Sequence, residues 1–300
     1  MKKYYKTILV GNSGFLGRSF LKSDTTILSV GRTDLRPDYT NEHLHISSWN
    51  DFNQLEQIEF DYAIFLIGSS DHELINNAPT LAIEKNFLPL LTFLDYLKER
   101  DSKPKKVFTF TTMLQYDSEK LTLPCSESAP INPFGNKYIF SKYIAEQTSQ
   151  FYRKYFDIID IRLSNVYGPT ELRRPDIVPS LIWSLLEDDI TYVRTTIPVR
   201  DFVFVGDVIS AVNQLSFTDF SGPINIGSGI GSSVKELCDI LEEVSGKTII
   251  ELGEPFTGHK TYYHDLGLLG SLIRHEETSL RDGLIRTYEE MKAANQRVEW

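Results

Sequence analysis

Five short apolar runs, set in regular alternation with amphipathic stretches, constrain this chain more than any other feature. TILVG (7–11), TTILSV (25–30), DYAIFLIG (61–68), KVFTFT (106–111) and DIIDIRL (157–163) are rich in Ile, Val, Phe and Leu. They are too short for helices and too continuously apolar to leave one face in water. Between them lie the helical patterns PTLAIEKNFLPLLTFLDYLKER (79–100) and NPFGNKYIFSKYIAEQTSQFYRKYF (132–156). A strand apolar on both sides must be covered on both sides, and a helical crossover lets successive strands run parallel. The expectation is an α/β protein with a doubly wound parallel sheet. Pro89 inside the first helical pattern predicts a kink or irregular turn, because proline has no amide N–H to give and its ring crowds the preceding turn.

After residue 165 the rhythm changes. YGPTELRRPD (167–176) is a polar, Pro-bearing connection, followed by a helical pattern near 177–187, short strands, and two more helical patterns near 233–245 and 278–296. Strand-like RDFVFV and GPINIG are placed to return to the first sheet. This predicts a large domain over 1–165 rejoined by about 199–227, and a smaller C-terminal α/β lobe from 166–198 and 228–300.

The chain of 300 residues has 31 Lys and Arg against 41 Asp and Glu, a formal charge of −10. That balance excludes a general binder of nucleic acid or anionic membrane, which needs a basic surface. A phosphate-bearing ligand must be met by a few local cations or by backbone N–H groups. In MKKYYKTILV basic residues precede an apolar run, but GNSG interrupts it before a signal-peptide core can form. No stretch reaches the ~20 apolar residues of a membrane helix, and a cytoplasmic protein is expected. Cys125 and Cys238 stand far apart without CxxC spacing, so both are expected to pack as small hydrophobes. No metal site is expected. His43 and His45 share a strand face without a third ligand near them in sequence, and His259, His264 and His275 are scattered on polar segments.

Gly11-Asn12-Ser13-Gly14-Phe15-Leu16-Gly17 joins the first strand to the first helix. Glycine is needed where a chain turns tightly, where backbone approaches a pyrophosphate, and where helix packs on strand. The helix N-terminus beyond it offers unpaired N–H groups and the positive end of a dipole to an anion. The loop therefore reads as a dinucleotide cradle, with a plain turn as the alternative.

A second motif lies in NKYIFSKYIAE (136–146). On a helix, residues four apart share a face about 6 Å apart along the axis, which brings Lys142 beside Tyr138 and leaves Lys137 and Tyr143 diverging. A fixed ammonium favours the phenolate of a tyrosine whose free pKa is about 10, and so makes it usable for proton transfer. Ser141 is expected to seat the helix or a cofactor. The other reading is a solvated helix stripe.

The GxxGxxG loop, Thr-Thr at a strand end and YxxxK in the next helix together resemble the extended, nucleotide-sugar-modifying branch of the short-chain dehydrogenase/reductase superfamily. The resemblance continues through RLSNVYGP (162–169), RDFVFVGDV (200–208) and PINIGSG (223–229), and covers most of residues 6–230 with a weaker tail to about 291. It implies a Rossmann-fold enzyme, with the first domain binding the dinucleotide and the lobe binding a nucleotide-sugar. It assigns Thr112 (with Thr111 as neighbour), Tyr138 and Lys142 to catalysis, and Leu66, Ile67 and Gly68 to the cofactor wall. It assigns Met113, Asn165 and Arg200 to the substrate. Apart from the resemblance, Lys260 in TGHKTYY is a candidate second cation for the substrate phosphate. It implies a homodimer through the 79–100 and 132–156 helices. Where an acidic residue would grip the ribose of NAD, this chain has Gly31 and Arg32, with Asp34 only later. A guanidinium pairs with a 2′-phosphate that a carboxylate repels, so NADP is expected and NAD kept possible. Ser48 stands where relatives carry an Asp beside the adenine.

Dehydratases of this branch place an Asp-Glu pair after the Ser or Thr of the triad, where this chain has Met113 and Leu114. The expectation is a reductase of a 4-keto-6-deoxy sugar nucleotide with Tyr138 as general acid. An NAD-dependent nucleotide-sugar 4-epimerase is the alternative, and an NADP-binding sensor the non-enzymatic one.

Overall fold

The protein is described from a computed structural model covering residues 2–49, 52–69, 72–256 and 260–296. His259 therefore lies outside the described residues. The chain divides into two compact units: residues 1–121, 127–163 and 212–224 form the first, and 122–126, 164–211 and 225–300 the second.

In the first unit the apolar runs become strands. β1 (Lys3–Val10), β2 (Leu28–Gly31), β3 (His43–His45), β4 (Ile58–Phe65), β5 (Lys106–Thr112) and β6 (Asp157–Leu163) pair side by side in the order β6-β5-β4-β1-β2-β3. All five pairings are parallel. The helices between them are α1 (Phe15–Ser23), α2 (His72–Asn77), α3 (Pro79–Asn86), α4 (Leu88–Glu99) and α5 (Lys137–Tyr152). Ile8, Val10, Val30, Ala63, Phe93, Leu97, Val107 and Ile158 share one buried core, which accounts for the apolar runs within these strands. Strand order reverses between β1 and β4, and such a switch point opens a crevice beyond the carboxyl ends of the strands.

The disturbance expected at Pro89 takes the form of a break. α3 ends at Asn86, Phe87 adopts φ −117 and ψ −57, and Pro89 falls in the first turn of α4, where a missing N–H leaves no bond unmade. The 132–156 pattern is helical only from Lys137 to Tyr152. Asn132 accepts from the Phe134 N–H at 3.1 Å and Asn136 caps α5 by accepting from the Ile139 N–H at 2.9 Å, so asparagine turn chemistry delays the helix.

The second unit contains β7 (Asn165–Tyr167), α6 (Ile177–Glu187), β8 (Ile190–Val193), β9 (Val199–Phe204), β11 (Gly231–Ser233), α8 (Val234–Ser245), β12 (Thr248–Glu251), β13 (Thr261–Tyr262), α9 (Gly267–Leu272) and α10 (Leu280–Gln296). Tyr167, Leu181, Ile182, Leu237, Leu241, Leu284 and Met291 form its core. α7 (Val205–Leu215) and β10 (Gly222–Ile226) carry the chain between units, and β10 adds a seventh strand beside β6. The returning segment is 212–224, shorter than the 199–227 read from the sequence. Val199–Phe204 stays in the second unit because β7, β11 and β13 supply its backbone partners there. Among the described residues no helix is long and apolar enough to cross a membrane. Cys125 and Cys238 are buried free thiols.

Candidate active site

The loop between β1 and α1 is shaped by two of its glycines. Gly11 has φ 107, and a Cβ there would lie 3.0 Å from the Ile67 amide nitrogen and from the Leu66 carbonyl carbon. The β1 end is thus pressed against the β4 end at the switch point, and the Leu66 N–H donates to the Val10 carbonyl at 2.8 Å. A Cβ on Gly17 would stand 2.3 Å from the Gly11 carbonyl oxygen, so glycine is what lets α1 pack on the loop. Gly14 is the N-cap of α1 with extended backbone, and a Cβ there would meet nothing within 4 Å. Gly14 has no side-chain cap hydrogen bond to offer, and the start of α1 lies directly after the glycine turn. Ser13, Phe15 and Leu16 complete this turn, with Phe15 buried. Asn12 is buried, donates to the Thr33 carbonyl at 2.9 Å, and stands where any side chain on Gly31 would be. It couples the loop to the end of β2.

Arg32 is the first residue after β2, exposed, with its guanidinium 5.1 Å from the centroid of Trp49. Asp34 is also exposed and lies 3.6 Å from His45 Nδ1. Ser48 is half-buried.

The residues expected to carry acid–base chemistry lie on β5 and α5. The first-turn amides of α5 are satisfied from two sides, since Asn76 Oδ1 accepts from Lys137 N–H at 3.1 Å and from Tyr138 N–H at 3.4 Å. Tyr138 is buried in a small apolar cluster with Ile75, Ala82 and Ile139, against which Leu114 packs. Lys142 is half-buried, its Nζ donates to the Phe110 carbonyl at 3.3 Å, and burial holds its pKa down at about 8. A Cβ on Gly68 would sit 3.1 Å from that Nζ, placing the β4 end, and with it Leu66, Ile67 and Gly68, along the same crevice. Lys137 is exposed and donates to the Asn76 carbonyl, away from Lys142.

Strand alternation separates Thr111 from Thr112. Thr111 Oγ1 lies 3.3 Å from Glu146 and 3.2 Å from the Ile161 carbonyl, in the interior. Thr112 Oγ1 accepts from the Leu114 N–H at 3.2 Å and caps a 3-10 turn over Met113–Gln115, with Met113 buried. That bond leaves the Thr112 hydroxyl hydrogen available.

Beneath this face α5 is pinned by a buried ion pair. Glu146 accepts from Arg162 at 2.5 and 3.1 Å and from Gln115 Nε2 at 2.6 Å, while Arg162 also donates to Tyr116 Oη at 3.1 Å and to the Glu127 carbonyl at 2.8 Å.

In the second unit, parallel pairing of β7 with β9 brings Asn165 opposite Phe202 and thus close to Arg200. Both line a cavity of about 470 Å³ with Tyr192, Arg194, Glu254 and Phe256. Arg200 lies over the Phe256 ring at 5.5 Å and donates to the Val199 carbonyl at 2.8 Å, and burial lowers its pKa. Asp201 does not pair with it. That carboxylate is fully buried and accepts from Ser228 N–H at 2.7 Å, Gly229 N–H at 3.2 Å and His264 N–H at 3.1 Å. Asp207 is taken by Thr278. Among the described residues Arg200 pairs with no carboxylate, which suits an anion-binding guanidinium. Lys260 offers it a carbonyl, at 3.3 Å.

The profile of the NAD dependent epimerase/dehydratase family matches residues 7–227, most of the chain. The chain belongs to this family. It is an NAD(P)-dependent enzyme of the nucleotide-sugar epimerase and reductase class. The enzyme is 30% identical over 217 residues, 70% of each chain, to a putative UDP-glucose 4-epimerase of Methanocaldococcus jannaschii. It is 24% identical over 303 residues, 94% of this chain and 90% of the other, to a probable GDP-L-fucose synthase 1 of Oryza sativa subsp. japonica. Among solved structures, a UDP-N-acetylglucosamine 4-epimerase from Methanobrevibacter ruminantium M1 superposes with a TM-score of 0.84 at 18% identity. The match covers 98% of this chain and 100% of that one.

Sequence reasoning missed Asn86 in this enzyme. Its Oδ1 accepts from the Ser69 N–H at 2.6 Å, its Nδ2 donates to Ser141 Oγ at 3.0 Å, and Ser141 Oγ donates to the Tyr138 carbonyl at 2.7 Å. Asn86 therefore ties the β4 end to the Tyr138 turn, and Ser141 seats the helix as expected. No local pattern marks Asn86; a buried polar residue near a break before Pro89 was the available signal. The missing third donor for His43 and His45 is also present in space. Asp34, His43 and His45 offer donor atoms that all lie within 4.8 Å of one another.

Proposed function

We propose that the enzyme reduces a 4-keto-6-deoxy sugar nucleotide using NADPH, with Tyr138 as general acid. The observation that carries this reading is Arg32, the first residue beyond β2, where its guanidinium is exposed and no carboxylate occupies the strand end. The glycine loop fits a dinucleotide on steric grounds, since Gly11 and Gly17 let the β1 end close onto the β4 end and α1 pack on the turn, where a side chain would strike backbone. Gly11 to Gly17, Leu66 to Gly68, Arg32, Tyr138 and Lys142 would hold the cofactor, with Arg32 on a 2′-phosphate. When bound, the reduced dinucleotide supplies hydride. Tyr138 delivers the proton to the sugar carbonyl oxygen, and the Lys142 ammonium stabilises the phenolate left behind. Thr112 donates its free hydroxyl hydrogen to the same oxygen. Asn165 and Arg200 hold the nucleotide diphosphate. Met113 leaves no carboxylate to remove water, which argues against dehydration, and its apolar side chain suits a deoxygenated C6.

An NAD-dependent 4-epimerase is the second reading, supported by the likeness to a putative UDP-glucose 4-epimerase over 70% of the chain. Titration with NADPH and NADH, followed by turnover on a panel of sugar nucleotides, separates the two. The reductase reading expects preferential NADPH binding and its stoichiometric oxidation by a 4-keto-6-deoxy sugar nucleotide. Tightly bound NAD with no NADPH oxidation on any such substrate would overturn it. We also infer a cytoplasmic homodimer through residues 79–100 and 132–156, on which Ile83, Leu88, Phe140 and Phe151 are exposed. These are apolar side chains of the kind an interface covers.

A further inference from the structure

We infer that Asp34, His43 and His45 form a binding site for one divalent transition-metal ion of the zinc, cobalt or nickel class, at the β3 edge of the first unit's sheet. His43 and His45 pair with Ser29 and Gly31 of β2, and as alternate residues of one strand they project to the same side. Asp34 lies three residues beyond β2, and one donor atom from each of the three side chains falls within a 4.8 Å triangle. Ligand bonds of about 2.0–2.1 Å in tetrahedral geometry set donor atoms roughly 3.3 Å apart, so no side need close by more than about 1.5 Å. The Asp34 and His45 side chains are 89% and 55% exposed and can turn through rotamers without repacking.

His43 is the fixed member. Its Nδ1 lies 3.0 Å from the hydroxyl of the fully buried Ser29, while its Nε2 is out of solvent and has no hydrogen-bond partner among the described residues. A ring held at one nitrogen with the other vacant is the arrangement that orients metal-binding histidines, and a buried ring nitrogen without a partner is otherwise costly. The carboxylate supplies charge compensation, and water would complete the sphere. Two imidazoles and one carboxylate favour zinc, cobalt, nickel or copper over magnesium or calcium, which take mainly oxygen ligands.

The test uses untagged, chelator-stripped full-length protein, with Zn²⁺ and Co²⁺ followed by equilibrium dialysis and the Co²⁺ visible spectrum. Cys125 and Cys238 are buried and do not compete as thiol ligands. One equivalent is expected per chain. Asp34→Asn and His45→Gln should each weaken binding by about tenfold or more, since even an outer-shell partner is worth about 10–100-fold. Both positions are exposed, so the test survives if His43→Ala fails to fold. Less than half an equivalent bound would overturn the inference. So would unchanged affinity in both exposed variants, or Mg²⁺ bound as tightly as Zn²⁺. The inference does not depend on the sugar reduced or on the choice between NADP and NAD.

Discussion

Replacing Glu146 with glutamine keeps the shape of the side chain and removes its charge from the buried side of α5. Glu146 and Arg162 are 2% and 3% exposed. The carboxylate accepts two bonds from Arg162, one from Gln115 and one from Thr111, so all of its partners are donors. In the variant one oxygen becomes an NH₂ group facing those donors, and the guanidinium stays behind without its counter-charge. Removing one partner of a buried pair costs about 3–5 kcal/mol. Arg162 keeps Tyr116 Oη and the Glu127 carbonyl, so the lower end, about 3 kcal/mol, is expected. Urea unfolding followed by circular dichroism should show a lower midpoint at unchanged slope. The double variant Glu146→Leu with Arg162→Met leaves no stranded charge and should recover most of the loss. Because Glu146 lies one helical turn beyond Lys142 and two beyond Tyr138, kcat should fall as well; a misplacement of about 1 Å can cost ~10²-fold. A loss below about 1 kcal/mol, or a double variant no better than the single, would refute the assignment of a buried, mutually dependent pair.

Tyr138→Phe should lower kcat by about 10²–10⁴-fold while leaving dinucleotide affinity unchanged, which a binding titration beside a turnover assay will read. Gly17→Ala places a methyl 2.3 Å from the Gly11 carbonyl oxygen, so the loop must move. It should cost about 1–3 kcal/mol in a denaturant melt and weaken dinucleotide binding. Burial holds Lys142 at about 8, so its ammonium is lost as pH rises through that value and kcat/KM should fall on the alkaline side. Lys142→Arg, which stays charged, should move that limb upward. By linkage, the depressed value makes this group's contribution to stability rise between pH about 8 and 10.5.

Much of the first unit was readable because its determinants are local. The runs at 7–11, 61–68, 106–111 and 157–163 became β1, β4, β5 and β6 with ends shifted by a few residues, since burial on both faces favours apolar side chains at most positions. The i,i+4 relation of Tyr138 and Lys142 needs only helical geometry. The break at Phe87 was foreshadowed by Pro89, which falls in the first turn of α4 where it needs no N–H partner. The strand Val199–Phe204 was readable as a strand and misplaced as to unit, because nothing in RDFVFV encodes which edge will accept its N–H and C=O groups.

By itself the sequence determined the alternation of strand and helix, the glycines that a close backbone approach demands, and the i,i+4 placement of Tyr138 and Lys142 on one helix. All three follow from bonding and sterics within a few residues. Tertiary structure alone decided that Thr111 turns inward to Glu146 while Thr112 keeps a hydroxyl hydrogen, and that Asn86 joins the β4 end to the Tyr138 turn. It also decided that Asp34 comes to His43 and His45. These contacts join residues whose meeting is set by strand register and packing, and a linear pattern carries no term for either.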